Sequence, residues 1–116
     1  MNISKELLEL LLPDFIVDHF TFIKSTSSDE YVHIYFEETP AIPQEFKDRN
    51  IESKGFHQET VIEDFPLRGK LVYLHVKRRR WRDVETKETL QRDWKNVAKG
   101  TRKTEEFALF LKEINR

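Results

Sequence analysis

The sequence predicts an α+β fold, an antiparallel sheet of about five strands with one helix at the N-terminal end and one at the C-terminal end. Three observations carry that prediction. Segments such as "EYVHIYFEE" are rich in β-branched and aromatic residues and alternate in character. Turn chemistry, "STSSD" and "PLRG", separates successive segments. Both ends of the chain space their apolar residues by three and four.

Residues 4–12 read as a helix. Ser4 can cap it, Glu6 sits in its first turn, and Ile3, Leu7, Leu8, Leu11 and Leu12 form an apolar face. Leu10 broadens that face beyond one core contact, so Leu7 and Leu11 become candidate partner-binding residues. Pro13 stops the helix. "FIVDHFTFIK" and "EYVHIYFEE" then form a hairpin about the "STSSD" turn. Residues 39–55 read as irregular, with Pro40, Pro43 and Gly55 as punctuation. "GFHQETVIEDFP" is a third strand, "PLRG" a turn, and residues 70 to about 82 a fourth strand. "DVETKE" loops to a fifth, "TLQRDW". If that hairpin centres between Thr86 and Lys87, Trp81 faces Arg92 and shares a side with Trp94. A one-residue shift puts the tryptophans on opposite faces. Thr101 or Thr104 caps a last helix, with Glu105 and Glu106 at its start and Phe107, Phe110, Leu111 and Ile114 on one stripe.

At 116 residues the chain fits one domain, residues 1–116, able to bury a core. Nine Phe, two Trp and three Tyr supply it, which argues against wholesale disorder. No apolar run is long enough to span a membrane. The chain has no cysteine, which removes disulfides and Cys-ligated metal sites and fits a reducing, cytoplasmic setting.

Catalytic chemistry finds little footing. His19, His33, His57 and His75 lack the short spacing of a metal motif. No serine lies in a Gly-x-Ser-x-Gly turn, and the three glycines form no phosphate-cradling loop. Adjacent carboxylates such as Glu37 and Glu38 point to opposite faces of a strand, so they make no dyad. The expectation is a non-enzyme without catalytic residues, metal or cofactor.

Charge is the informative signal. The formal net charge is -1, but Arg68 to Lys103 holds thirteen Lys or Arg against four acids, a local net of +9. Such segregation reopens a nucleic-acid partner that the overall balance would argue against. In an extended strand Arg78 and Arg80 share one face, and Lys77, Arg79 and Trp81 the other. Cations on both faces predict a ribbon projecting beyond the packed sheet. Lys70, Lys77, Arg78, Arg79, Arg80, Trp81, Arg82, Arg92, Lys95, Lys99, Arg102 and Lys103 are the candidate DNA-binding set, suited to phosphates with an aromatic to stack or wedge. The competing reading is a solvated strand end, or a protein-interaction module whose basic ribbon docks on an acidic surface, including this chain's own acidic half in a homodimer.

At these residues a resemblance adds to the charge argument. "VIEDFPLRGKLVYLHVKRRRWRD" and "VAKGTRKTEEFALFLKEI", with "ISKELLELLLPDF", "HIYFEE" and "SKGFH", resemble the N-terminal region of bacterial insertion-sequence transposases. The likeness is to the ISL-three group, above all its ISAon-one type, where this region is a separate short protein. In the wider group the region is similar to a DNA-recognising zinc ribbon. Here "DFPLRGK" and "RRWR" match in place, while Asp83 stands where a cysteine is expected and "TPAIPQ" lies near the place of the first Cys pair. The resemblance implies a ribbon-like fold held by an aromatic core without zinc. It implies a role in recognising terminal inverted repeats in double-stranded DNA, and a separate catalytic transposase polypeptide as partner. No membrane is involved, and the location implied is cytoplasmic, at the nucleoid.

Overall fold

A computed structural model describes residues 12–100 and 105–114. The predicted helix over 4–12, with Leu7 and Leu11, lies almost wholly outside them, as do Arg102 and Lys103. The fold is α+β, as the sequence predicts, with short helices toward both ends and strands between them. The strands are β1 (Phe20–Ser27), β2 (Tyr31–Glu38), β3 (Ile51–Phe56), β4 (Thr60–Leu67), β5 (Lys70–Lys77), β6 (Arg79–Asp83) and β7 (Thr89–Leu90). The helices are α1 (Asp14–His19), α2 (Trp94–Gly100) and α3 (Glu105–Ile114), and a 3-10 turn covers Gln44–Phe46.

Four strands form one sheet in the order β1-β2-β5-β4, and three form a second in the order β3-β6-β7. All pairs are antiparallel except β2–β5, which is parallel from Tyr31↔Leu71 to Glu37↔Lys77. A parallel pair needs a long crossover, and residues 39–69 supply one, carrying β3 and β4 on the way. The purely antiparallel sheet expected from hairpin signals is thereby corrected at one pair.

Four local departures have local causes. The first half of "FIVDHFTFIK" is helix α1, because Pro13 opens the turn by accepting the Ile16 and Val17 amides on its carbonyl. One helical turn sends Phe15 and Ile16 into the core together. "GFHQETVIEDFP" is split between β3 and β4, with a register shift between Ser53 and Phe56 where Gly55 takes φ 81°. The run 70–82 breaks at Arg78, and β5 and β6 belong to different sheets. Finally, "TLQRDW" is strand only at Thr89–Leu90, and Trp94 opens a helix. Asp93 caps it, Oδ1 accepting the Asn96 amide at 3.1 Å. The hairpin is therefore tighter than a centre at 86/87 requires, and Trp81 pairs with Leu90.

The core lies on one face of the larger sheet. Ile34 and Phe36 on β2, Ile62 on β4, and Val72, Leu74 and Val76 on β5 point to it by strand alternation. Against them pack Phe15, Phe20, Trp94, Phe107 and Phe110. Phe15 stacks on Phe107 at 4.3 Å and Phe20 on Trp94 at 5.3 Å. The stripe predicted for the last helix is the one buried, with Phe107 and Phe110 fully enclosed.

Candidate nucleic-acid interface

The basic segment starts where β5 leaves the first sheet. Lys77 is exposed, Arg78 is buried between the two strands, Arg79 is half-buried, Arg80 is exposed, and Trp81 is buried. The segment is not a projecting ribbon. β6 runs between β3 and β7, so strand alternation turns Arg79, Trp81 and Asp83 inward and leaves Arg80 to solvent.

Inward-facing cations need acceptors, and one buried carboxylate gathers them. Glu38, at the end of β2, is only 1 % exposed. Its Oε1 accepts the Arg79 amide at 2.9 Å and its Oε2 accepts Arg92 Nε at 3.2 Å. Its backbone carbonyl accepts Arg79 Nε and Nη2 at 3.2 and 2.9 Å. Arg79 also donates to Ser53 Oγ and lies over the Phe56 ring at 4.8 Å. Arg92 Nη2 donates to the Ala41 carbonyl, which ties the loop after β2 to the approach of α2.

Asp83 organises the far end of β6 by hydrogen bonds. Its Oδ1 accepts the Glu85 and Thr86 amides and its Oδ2 accepts Arg49 Nε at 2.7 Å. The Thr86 amide first, then the Arg49 guanidinium, hold this carboxyl below the ordinary carboxylate range, outweighing the opposing effect of burial. Arg49 reaches on to Glu88 at 2.7 Å. Among the described residues no group of three or more His, Asp or Glu is placed to hold a metal ion.

The candidate DNA-binding set thus divides by accessibility. Arg78 and Trp81 are buried, and Arg79 and Arg92 are committed to Glu38. Lys77, Arg80, Lys95 and Lys99 are exposed, and among the described residues none has a carboxylate within salt-bridge distance. Lys95 and Lys99 sit four apart on α2 and share a face. Lys70 and Arg82 are half-buried.

Sequence reasoning passed over a second constellation on the open face of the larger sheet. Odd positions of β2 and β5 place Tyr31, His33, Tyr35, Tyr73 and His75 there. His75 Nδ1 lies 2.8 Å from Glu59 Oε1, and His75 Nε2 lies 2.8 Å from His33 Nδ1. A carboxylate only accepts, so His75 donates from Nδ1 to Glu59, and one proton lies between His75 Nε2 and His33 Nδ1. His33 stacks on Tyr73 and Tyr35 on His75, so ring faces are spent on one another. Strand alternation of "HIY" with "YLH" was the available signal, but the parallel pairing that joins them was not predicted.

Comparison with protein families, with curated proteins and with solved structures finds no match to this chain.

Proposed function

We propose that the chain is a DNA-binding component of a transposase that helps recognise the terminal inverted repeats of its element. It is non-catalytic by itself, works in the cytoplasm at the nucleoid, and acts with a separate polypeptide that carries the strand-cleaving chemistry. The observation that carries this reading is the exposed set Lys77, Arg80, Lys95 and Lys99, unpaired with any carboxylate of the described residues, inside a segment of local net charge +9. The ordered resemblance to transposase N-terminal regions supports it. In this reading Arg79, Trp81 and Arg92 hold the backbone of the segment through Glu38 and the small sheet, and the exposed cations meet phosphates.

The test is a salt titration of binding to a duplex bearing the terminal repeat, against a scrambled duplex of equal length. If about six phosphates are neutralised, log K falls with log salt with a slope of about -5. Lys77→Ala with Arg80→Ala flattens the slope by about 2 and leaves stability unchanged. Absence of binding at low salt overturns the proposal.

One observation favours a second reading, a protein-interaction module that forms a homodimer or docks on the catalytic chain. Tyr31, Val61 and Leu71 are exposed apolar residues on the open sheet face. A concentration-dependent shift in gel filtration, without retention on DNA resin, selects this reading over the first.

A further inference from the structure

Arg78 is buried, and no counter-ion touches it among the described residues: it is 9 % exposed, and no carboxylate oxygen of theirs lies within salt-bridge distance of it. Its Nη1 donates to the neutral amide of Gln91 at 2.9 Å, its Nε–H has no acceptor, and Nη2 makes no hydrogen bond to a described residue. Glu38 acts on it only through space, its own oxygens being taken by Arg92 and the Arg79 amide. A guanidinium keeps its charge at every physiological pH, and an unpaired one in the interior is costly. Arg78 is therefore hard to explain as a stabilising residue.

Beside it lies a cavity of about 440 Å³, lined by Gln58, Glu59, Thr60, Val61, Arg78 and the end of α3 at Glu113 and Ile114. The local field is positive enough to act on a neighbour: burial first, then Arg78 and Arg80, push the His57 imidazole below its ordinary range. Lys77 and Arg80, both exposed, flank Arg78 in the chain. Glu59 and Glu113 on the wall set the limit on the other side. Two carboxylates disfavour a dianion, while one guanidinium with Thr60 and Gln58 as further donors suits a monoanionic oxygen ligand.

We propose that the cavity beside Arg78 seats one phosphodiester group, the monoanionic unit of a nucleic-acid backbone. The source of that group rests on the DNA-binding reading; the chemistry of the cavity does not. Burial makes this contact different in kind from those of Lys77 and Arg80, since the Arg78 guanidinium is already desolvated and held by Gln91 before the ligand arrives. It positions the backbone and carries no base preference.

Two measurements on the full chain test it. The first follows the Arg78 Nε–H resonance while dimethyl phosphate, inorganic phosphate at pH 8, or acetate is added. A saturable shift with dimethyl phosphate that exceeds those with the other two is expected. An equal response to acetate, or no response to any, overturns the proposal, the former in favour of a carboxylate from a protein partner. The second compares the salt dependence of duplex binding for wild type and Arg78→Met. The variant should melt no lower than wild type and show a slope flatter by about one phosphate. An unchanged slope overturns the phosphate seat while the DNA reading stands. If wild type binds no duplex, the DNA reading falls, and the resonance shift decides the cavity alone.

Discussion

Glu38 gathers distant pieces of the basic segment around one buried charge. Its carboxylate and carbonyl engage Arg79 and Arg92, which lie 41 and 54 residues away in sequence. Glu38→Gln leaves the half-buried Arg92 beside a neutral amide and the buried Arg78 without its through-space partner, so unfolding free energy should drop by about 3–5 kcal/mol. Chemical denaturation checks this, and a loss below about 1 kcal/mol contradicts the role assigned. The two neighbouring arginines separate structure from surface. Arg79→Ala should lower stability by removing its bonds to the Glu38 carbonyl and Ser53, whereas Arg80→Ala should leave the melting temperature alone. Asp83 supplies a pH dependence. Its folded carboxyl titrates below the ordinary value, so its contribution is fully present above the usual carboxylate range and is lost as pH falls through the folded value. Thermal melts across that acid window should fall more steeply for wild type than for Asp83→Asn.

Among the elements, the β4–β5 hairpin shows turn chemistry working against one residue. Arg68 and Gly69 adopt φ 51° and 79°, the two left-handed residues of a type I′ turn, closed by the Leu67↔Lys70 pair. Glycine takes this conformation freely, and arginine does not. Arg68→Asn should raise stability by roughly 0.5–1 kcal/mol, read as a shifted denaturation midpoint. An unchanged midpoint means that the Arg68 side chain compensates the strain. Helix α2 depends in turn on its cap. Asp93 Oδ1 accepts the Asn96 amide in its first turn, and Asp93→Ala should cost about 1 kcal/mol. The spacing Trp94, Val97, Ala98 after Asp93 was the helix signal, masked in sequence by the alternation of "TLQRDW".

Among the described residues the chain passes between the two sheets three times, after β2, after β3 and at Arg78, and the aromatic side chains of the helices pack on the larger sheet. Phe110 sits where α3, Phe15, Phe20 and Trp94 meet, fully buried. Phe110→Ala should cost about 3–5 kcal/mol through lost transfer energy and the cavity left behind. A smaller loss in denaturant titration would mean that α3 collapses onto the sheet.

Much was legible in the residues alone. Strand alternation in "YVHIYFEE", the Arg68–Gly69 turn, the Phe107–Phe110–Leu111–Ile114 stripe and the local charge excess are properties of short stretches, and short-range sterics and periodicity suffice to read them. Tertiary structure decided the rest. Whether β2 pairs with β5, and in which direction, depends on a crossover whose closure no local pattern encodes. Which cations are available depends on Glu38, an acceptor some forty residues upstream of Arg79 and buried by elements on both sides. A run of arginines therefore announces charge from the sequence, while burial and acceptor geometry determine how much of that charge reaches a partner.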